Sequence, residues 1–512
     1  MNRRDFIRTV LVGSAALGWS AERVYAERQP GFNTSRRHVV REPAHMLRDG
    51  YLFDVPAPTE FKDLVIVGAG ANSLFSAYHL PNVDLVCLEK ESRAGGNAQR
   101  GMRNGIYMNE GAAYTDMNSE LVEFMKKEFG ITPMRIGGYD ALVVGNAIVR
   151  NLYRDDFEGL PYSEDIRSQF RRFRDLVSSI SKRLEDGASA LFEEREVLDS
   201  AVREELLRLD SMDFDSWLKE NQFPKEVVGW CEIYCPPQIS SFPRNSSALV
   251  SILGMAGVSS YDEIGSWPGG LATMAEALAE GVRKQGHDRI RTGTFVVRVV
   301  NTSDEKAVDV TYLRHNKLFT IRCKTCIWGG HKNVARYAIP QMPERQKDAI
   351  GETEYLDISM INLCYDRTIY NGDFITWLDD APIQNFGPAD WVLSRGKASK
   401  TAPQILGCDW ANRPEQRALL LDDEWIVEQC QRTARRLDEI FPGSIDHLEE
   451  IRVLLRAHSW VNYSPGYLSK VMPHVSQDIG RIVMTYSDHG SFREAMAAGI
   501  DNAKTAVGWL NK

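Results

Sequence analysis

The sequence predicts a mixed α/β protein in which a doubly wound parallel sheet is joined to a second, more helical region. The first observation is a pair of buried-strand patterns, residues 63–67 and 84–88, separated by a glycine turn and a helical stretch. Such a strand–helix–strand unit opens a doubly wound sheet. The second observation is that residues 164–222 carry amphipathic helical patterns, whereas strand-like runs separated by turns follow residue 295. With 512 residues, the chain has room for two or three domains.

The first 26 residues have the pattern of an export signal. Arg3 and Arg4 belong to a charged start, an apolar run covers residues 10–19, and small residues precede a cleavage position after Ala26. The run is shorter than the roughly 20 apolar residues that cross a bilayer, so no stable membrane span is predicted. The arginine pair resembles a twin-arginine signal, which implies that the twin-arginine export machinery carries the folded protein to the periplasm or out of the cell. A basic N-terminal helix is the alternative interpretation.

A glycine turn after the first strand carries the first functional signal. Gly68 permits a tight turn, and Gly70 lets the backbone approach a pyrophosphate at the N-terminus of the following helix. Ser73 is small enough to let this helix pack closely on the strand. Glu89 ends the second strand, where a carboxylate can accept hydrogen bonds from both hydroxyls of a ribose. Together these residues predict a dinucleotide-binding site.

The charge and the cysteines exclude other classes of protein. The net charge is −9 and no basic stripe is visible, so nucleic acid is not an expected partner. Cys323 and Cys326 have the spacing of a redox or metal-binding pair, but they lie in an apolar run, residues 319–328, that predicts a strand. Residues three apart do not share a face of a strand, and no second pair of this spacing is present to complete a zinc site. We therefore predict buried thiols and no metal site.

The stretch that begins at Glu89 distinguishes between two kinds of dinucleotide. A Gly-Gly pair soon after the ribose carboxylate resembles the flavin amine oxidase superfamily, which implies FAD as the cofactor. The family usually has an arginine directly after this pair, whereas the present chain has an asparagine. The resemblance assigns cofactor contacts in this stretch to Glu89, Lys90, Arg93, Gly95, Gly96 and Asn97.

The resemblance extends through most of the chain. Residues 108–114 are similar to the segment under the flavin ring, residues 213–218 to a helix start in the substrate domain, and residues 267–270 to a Pro-x-Gly-Gly element. Residues 480–490 resemble the last FAD-contacting strand, and with the helix at 498–503 they are most similar to the bacterial spermidine dehydrogenase branch. The further cofactor contacts implied are Gly111, Ala112, Val296, Ser487, Asp488 and Gly499.

The resemblance also implies the domain organisation. We expect an FAD-binding doubly wound domain of the Rossmann type and a discontinuous α+β substrate domain. The expected boundaries are 1–26 for the signal peptide, 27–60 for an extended lead-in, 61–120 with 245–345 and 455–512 for the FAD-binding domain, and 121–244 with 346–454 for the substrate domain.

Aromatic residues near the C-terminus are the catalytic candidates. Family members place a Trp and then a Gly-Tyr or Cys-Tyr pair beside the flavin, and Trp460 and Tyr467 match this pattern. Such an aromatic slot suits an amine, and packing in the core is the alternative. Gly466 stands where some members carry a cysteine bonded to FAD, so noncovalent FAD is expected. Residues 358–363 lack the lysine that oxidases of the family commonly carry, which favours a dehydrogenase with an unknown electron acceptor.

The leading hypothesis is the oxidation of an amine, with polyamines among the candidates, by hydride transfer to flavin N5. No acid–base residue is required, and His458 and His489 are candidates only. One alternative is an FAD-dependent desaturase or dehydrogenase that acts on an apolar substrate without an amine. The other is a flavin-binding partner protein without turnover.

Overall fold

The structure is a computed structural model, and it describes residues 27–29, 32–38, 42–136, 141–192, 196–197, 199–257, 264–389, 392, 402–485 and 492–511. The strands are β1 Glu27–Gln29, β2 Phe32–His38, β3 Glu60–Val67, β4 Leu85–Leu88, β5 Arg100–Arg103, β6 Ile106–Asn109, β7 Thr115–Asp116, β8 Met134–Arg135, β9 Ala141–Val144, β10 Ala147–Val149, β11 Ile264–Ser266, β12 Ile290–Arg291, β13 Phe295–Asn301, β14 Val308–Arg314, β15 Lys317–Trp328, β16 Tyr355–Tyr365, β17 Thr376–Trp377, β18 Asn385–Pro388, β19 Gln404–Asn412, β20 Leu448–Leu455, β21 Trp460–Val461 and β22 Ile482–Met484. The α-helices are α1 Glu42–Arg48, α2 Ala71–Tyr78, α3 Glu120–Phe129, α4 Glu164–Phe192, α5 Ser200–Ser211, α6 Phe214–Glu220, α7 Lys225–Ile239, α8 Ala248–Ala256, α9 Ala272–Lys284, α10 Lys332–Ala338, α11 Glu344–Glu352, α12 Asp423–Ile440, α13 Met472–Val475 and α14 Phe492–Leu510. Two 3₁₀ helices, Pro414–Leu421 and Ser444–His447, and a π-helical turn, Tyr467–Val471, complete the described elements.

Seven of the described strands form a sheet in the order β12-β4-β3-β15-β14-β13, with β22 beside β15. Strand β3 is parallel to β4 and β15, and β15 is parallel to β22. Leu64 and Ile66 pack with α2, α9 and α14, whereas Val65 and Val67 pack in a separate core with α10 and α11. Because alternate residues of a strand point to opposite faces, this sheet carries helices on both faces. The predicted doubly wound α/β fold is confirmed, and its opening unit is β3–α2–β4.

The second sheet contains ten of the described strands, in the order β1-β2-β20-β16-β19-β18-β17-β9-β10, with β21 beside β16. Strand β16 is antiparallel to both β19 and β20. Helix α12 packs on one face, where Ile361 and Leu363 contact its apolar side chains. Helices α4 to α8 enclose a separate core, and Asp213 caps α6 by accepting a 2.8 Å hydrogen bond from the N–H of Ser216. The region therefore combines sheet and helices, as the α+β prediction requires.

The segment that leads into β3 is more structured than the polar, proline-punctuated sequence predicted. Strand β2 runs parallel to β20, with Asn33 opposite Glu450, and helix α1 follows it. Arg37 of β2 pairs with Glu110 at 2.8 Å. Because its partner strand lies more than 400 residues away, local composition carried no signal for this pairing.

The cysteines and the helices were compared with the patterns of metal sites and membrane spans. All eight cysteines are buried free thiols, and Cys323 and Cys326 lie in β15, where a strand was predicted. Among the described residues, no helix combines the length and apolar character needed to cross a membrane. Within the same residues, no group of three histidine, cysteine or acidic side chains is placed to hold a metal ion.

Candidate functional site

A cavity of about 830 Å³ opens where β3 and β4 end and α2 begins. Val67 and Gly68 line it from the end of β3, and Leu88 and Glu89 line it from the end of β4. In open α/β sheets, ligands bind in the crevice outside the carboxyl ends of the strands. The cavity therefore occupies the position of a nucleotide site.

Glycines let the chain segments around this cavity approach one another. Gly68 has a φ of +91°, and a Cβ there would lie 3.1 Å from the carbonyl oxygen of Gly329. Gly96 has a φ of +59°, and a Cβ there would lie 3.0 Å from the Cα of Gly70. Gly70 also precedes α2 without providing a side-chain cap. An uncapped helix N-terminus beside glycine backbone is suited to a phosphate group.

The carboxylate of Glu89 is held in place by backbone donors. The side chain is 5% exposed. Its Oε2 accepts a 2.7 Å hydrogen bond from the N–H of Ala69, and its Oε1 accepts a 2.9 Å hydrogen bond from the N–H of Glu91. Burial raises the pKa of this carboxyl, and the two backbone donors oppose that shift. Each oxygen keeps further acceptor capacity, which is what the two hydroxyls of a ribose require.

Eight of the assigned cofactor residues line the cavity together. They are Gly68, Gly70, Glu89, Lys90, Gly95, Gly96, Asn97 and Val296. Val296 lies in β13, and the preceding Thr294 donates its N–H to the carbonyl oxygen of Glu89 at 2.8 Å. This bond fixes the start of β13 against the end of β4, so the base and ribose positions of a bound dinucleotide are set by two strand ends that meet although the strands are not adjacent in the sheet.

Two of the residues assigned to cofactor binding, Ser73 and Arg93, are not among the residues that line the cavity. Ser73 is fully buried in α2, and a Cβ on Gly329 would lie 2.0 Å from its Oγ, so the small side chain serves close packing, as the sequence predicted. Arg93 pairs with Glu110 at 2.5 Å and donates to the carbonyl oxygen of Arg100 at 2.6 Å. Through these contacts Arg93 holds the segment that carries Gly95 and Gly96 against β5 and Glu110.

Gly111 and Ala112 contact the backbone of Asn97. Ala112 donates its N–H to the carbonyl oxygen of Asn97 at 3.1 Å. A Cβ on Gly111 would lie 1.9 Å from that same oxygen and 2.6 Å from Nη1 of Arg456. Position 111 therefore accepts no side chain without displacing both neighbours.

The C-terminal helix reaches the cavity with its first turn. Ala495 of α14 lines the cavity, whereas Gly499, one turn later, packs against α2. A Cβ on Gly499 would lie 2.6 Å from the Cβ of Phe75, and its carbonyl oxygen accepts a 3.0 Å hydrogen bond from Oγ of Ser76. The structure thus gives Gly499 a role in helix packing. Ser487, Asp488 and His489 lie outside the described residues.

The two catalytic candidates occupy different environments. Trp460 is half-buried in β21, which pairs with β16 at Leu356. Tyr467 is 1% exposed and packs edge-on against Tyr463, with ring centroids 5.7 Å apart, in the core formed by α4 to α8. Both environments allow the rings to be rigid, and the aromatic slot stays a prediction.

Sequence reasoning missed four parts of the cavity wall. Gly329 and Gly330 follow β15, and a glycine pair after a buried strand was a local signal that could have identified them. The other parts come from α1, from the 3₁₀ helix Pro414–Leu421 and from the end of β20, whose residues gave no local signal. The residues that these parts contribute include His45, Arg48, Arg417 and Arg456, together with His458, which the sequence analysis had named as an acid–base candidate.

His458 is a neutral imidazole in this wall. Burial, followed by the nearby charge of Arg417, lowers its pKa to about 3. Its ring stands edge-on to Tyr355, with centroids 5.6 Å apart, and its Nδ1 is buried without a hydrogen-bond partner among the described residues. A neutral histidine can accept or donate a proton in a hydrogen bond, but it supplies no charge at neutral pH.

The residues of the cavity fit a dinucleotide. The ribose carboxylate, the glycine loop and the helix N-terminus lie in the order that a nucleoside and its phosphates require. Two buried polar atoms in the wall, Nδ2 of Asn72 and Nη2 of Arg456, have no hydrogen-bond partner among the described residues, although Oδ1 of Asn72 is bonded by Asn502. Such atoms are satisfied when a polar ligand fills the cavity.

Solved structures share this fold. Putrescine oxidase bound to putrescine is 14% identical, with 88% of this chain and 100% of that chain covered and a TM-score of 0.69. Cyclohexylamine oxidase from Brevibacterium oxydans is 14% identical, with the same coverage and a TM-score of 0.66. A fatty acid isomerase from P. acnes that produces CLA is 12% identical, with 87% of this chain and 98% of that chain covered and a TM-score of 0.62.

The family is given by sequence rather than by these distant structures. No curated protein sequence is significantly similar to the chain. The profile described as flavin containing amine oxidoreductase matches residues 70–477, which include α2, most strands of both large sheets and the aromatic candidates. The chain therefore belongs to the flavin-containing amine oxidoreductase family and is an FAD-dependent oxidoreductase.

Proposed function

We propose that this protein is an exported amine dehydrogenase that holds FAD without a covalent bond. The observation that carries the cofactor proposal is the cavity in which Glu89, the glycine loop and Val296 meet. The amine proposal is supported by the family and by the fold shared with putrescine oxidase and cyclohexylamine oxidase. Small primary amines, including diamines and polyamines, are therefore the first substrates to test.

Noncovalent binding is supported at the position where the family resemblance places a cysteine in some members. Gly466 occupies that position with a φ of +82°, a conformation that favours glycine. Of the cysteines, all eight are buried, and none is among the described residues that line the cavity. FAD is thus retained by hydrogen bonds, packing and charge.

The protein's part in the reaction is to orient the amine and exclude water. When bound, the flavin supplies the redox chemistry by accepting a hydride from the carbon next to the amine nitrogen. Nδ2 of Asn97 donates a 2.8 Å hydrogen bond to the carbonyl oxygen of Ser459, which ties the residue before Trp460 to the cofactor loop. This bond sets Trp460 relative to the cofactor, so that its ring can form one face of an aromatic slot for a neutral amine.

The turn that carries Tyr467 is hydrogen-bonded to Asp210 of helix α5. Gly466 donates its N–H to the carbonyl oxygen of Asp210 at 2.7 Å, and Oγ of Ser469 donates to the Asp210 carboxylate at 2.6 Å. A ring fixed in this way is preorganised, which lowers the entropic cost of orienting a substrate.

The choice of dehydrogenase rests on β16. Residues 358–363 lie in this strand and contain no lysine. A cationic side chain linked to the flavin through water is therefore not available from this strand, and we propose an electron acceptor other than oxygen.

The deciding experiment is anaerobic flavin bleaching. Purified protein is mixed with a panel of amines, and the absorbance of oxidised flavin is followed. We expect at least one amine to bleach the flavin, artificial acceptors to restore the colour quickly and oxygen to restore it slowly. Trp460→Leu and Tyr467→Leu should slow bleaching at unchanged flavin content, because each removes one ring of the slot, whereas Tyr463→Leu serves as the matched control in the same core. If no amine bleaches the flavin, the proposal fails.

A further inference from the structure

One cation in the cavity wall, Arg456, forms no ion pair with any of the described residues. Arg456 follows β20, is 5% exposed and lines the cavity with Gly96 and Asn97. Its backbone N–H donates to Oγ of Ser359 at 3.2 Å, which fixes the start of the side chain. Its Nη2 is buried and has no hydrogen-bond partner among the described residues.

The nearby carboxylates are already occupied. Glu110 accepts from Arg37 at 2.8 Å and from Arg93 at 2.5 Å, and Glu91 pairs with Lys90 at 3.3 Å. Burial, and then the charge of Arg37, lowers the pKa of Arg456 to about 10. The group therefore remains a cation at neutral pH, beside two other arginines, Arg37 and Arg93, and two carboxylates that already carry ion pairs.

A buried cation without a partner is costly. Removing an ion from water costs several kcal/mol, and the cost is repaid only by an opposite charge with good geometry. Among the described residues no carboxylate forms an ion pair with Arg456, and its guanidinium lines the cavity, where a ligand anion would supply the opposite charge. Guanidinium groups pair best with carboxylates and phosphates, whose oxygens match their paired N–H groups.

The position of the guanidinium indicates which ligand group this is. A Cβ on Gly111 would lie 2.6 Å from Nη1 of Arg456 and 1.9 Å from the carbonyl oxygen of Asn97, so these three residues meet at one point. Asn97 directly follows Gly96, which touches Gly70 at the N-terminus of α2. Arg456 thus shares the cavity with the helix N-terminus that is suited to phosphate, while the neutral amide of Asn97 supplies no charge there.

We propose that Arg456 forms the ion pair with the pyrophosphate of the bound dinucleotide, and that Gly111 is required to leave room for its guanidinium. This inference rests on the proposed FAD site and assigns its phosphate partner to a residue far from the glycine loop in sequence. A free phosphate anion has the same chemistry, and the experiment below separates the two sources.

The first measurement is the rate at which FAD leaves the purified holoenzyme after dilution, followed by the recovery of flavin fluorescence. Arg456→Met should accelerate release about ten- to a hundred-fold, because a hydrogen-bonded charge pair is lost. Arg456→Lys should give an intermediate rate. Arg452→Met is the matched control, since Arg452 lies on β20, the strand that Arg456 follows, is partly exposed and pairs with Glu450 at 2.9 Å.

The second measurement locates the effect. The phosphorus NMR signals of bound FAD should shift in Arg456→Met and stay unchanged in Arg452→Met. Asn97→Arg, added to Arg456→Met, should recover part of the slow release, because it returns a cation to the same point. If Arg456 instead holds a separate anion, inorganic phosphate will bind the holoenzyme only when Arg456 is present. The rate of FAD release will then be the same in Arg456→Met and the parent. These two results together overturn the inference.

The outcomes also separate this inference from the proposed function. Protein that purifies without flavin, and that binds none when FAD is added, contradicts the proposed function itself. Protein that carries FAD and releases it at the same rate in Arg456→Met and the parent contradicts only the role of Arg456. If Arg456→Met fails to fold, the Arg456→Lys comparison decides, because it preserves the charge and changes the geometry.

Discussion

The carboxylate of Glu89 accepts a 2.7 Å hydrogen bond from the N–H of Ala69, so the residue that ends one strand is tied to the loop that follows its neighbour. The bond joins the ribose position to the phosphate loop. A movement of Glu89 would therefore also move the loop at Ala69, and the ribose and phosphate positions would shift together.

Substituting Glu89→Gln tests this arrangement. A Gln side chain can satisfy only one of the two backbone donors, from Ala69 and Glu91, with its oxygen, and its amide faces the other. A buried donor left without an acceptor costs about 1–3 kcal/mol. We expect FAD affinity to fall at least tenfold, measured by fluorescence titration. Glu91→Gln, which leaves both donors in place, is the control, and equal affinities in the two variants would contradict the assignment.

The two glycines of α14 make a matched test of helix packing. A Cβ on Gly499 would lie 2.6 Å from the Cβ of Phe75, whereas a Cβ on Gly508 meets nothing within 4 Å. Gly499→Ala should destabilise the protein by about 1–3 kcal/mol through overpacking. Gly508→Ala should stabilise it by up to about 1 kcal/mol, because alanine is the better helix former. Urea denaturation of both variants measures the difference, and a neutral Gly499→Ala would show that α14 can move away from α2.

The structure also shows which features local sequence could predict. The unit β3–α2–β4 was predicted because a buried strand, a glycine turn and a carboxylate at a strand end are all encoded within about 25 residues. The same stretch indicated that a small residue is needed at Ser73, although the glycine against which Ser73 packs, Gly329, lies far away in sequence.

Features that depend on distant segments were not predicted. Arg456 meets Asn97 and Gly111 across more than 300 residues, and a single arginine after a strand has no distinctive pattern. Gly499 shows that a local pattern can also be compatible with two different roles. A small residue in a helix suits either a cofactor or another helix, and only the position of Phe75 in the fold distinguishes the two.

Export is predicted from residues 1–26, which lie outside the described structure. Arg3→Lys combined with Arg4→Lys keeps the charge and removes the arginine pair, so we expect the protein to accumulate in the cytoplasm with its flavin bound. Cell fractionation and the N-terminal sequence of the exported form measure the result. Cleavage after Ala26 in the parent protein is expected, and unchanged export of the double variant would argue for another route.

The last prediction concerns pH and Asp357. This residue is fully buried in β16, and its Oδ1 accepts from the backbone N–H and the side-chain Nδ2 of Asn412 at 3.1 and 2.8 Å. Its Oδ2 is buried without a hydrogen-bond partner among the described residues. Burial raises the pKa of Asp357 to about 7, against the opposing effect of Asn412.

A raised carboxyl pKa makes the folded protein bind more protons than the unfolded chain between about pH 4 and pH 7. The free energy of unfolding should therefore fall as the pH rises through this range, by at most about 1.4 kcal/mol per pH unit from this group. Asp357→Asn keeps the shape and an acceptor for Asn412, and it cannot ionise. Urea denaturation measures the free energy of unfolding at pH 5 and at pH 7. The difference between these two values should be smaller in Asp357→Asn than in the parent. Asp348→Asn, on the helix α11, is the control and should keep the difference of the parent. An identical pH dependence in Asp357→Asn and the parent would mean that Asp357 is ionised in the folded protein throughout the range.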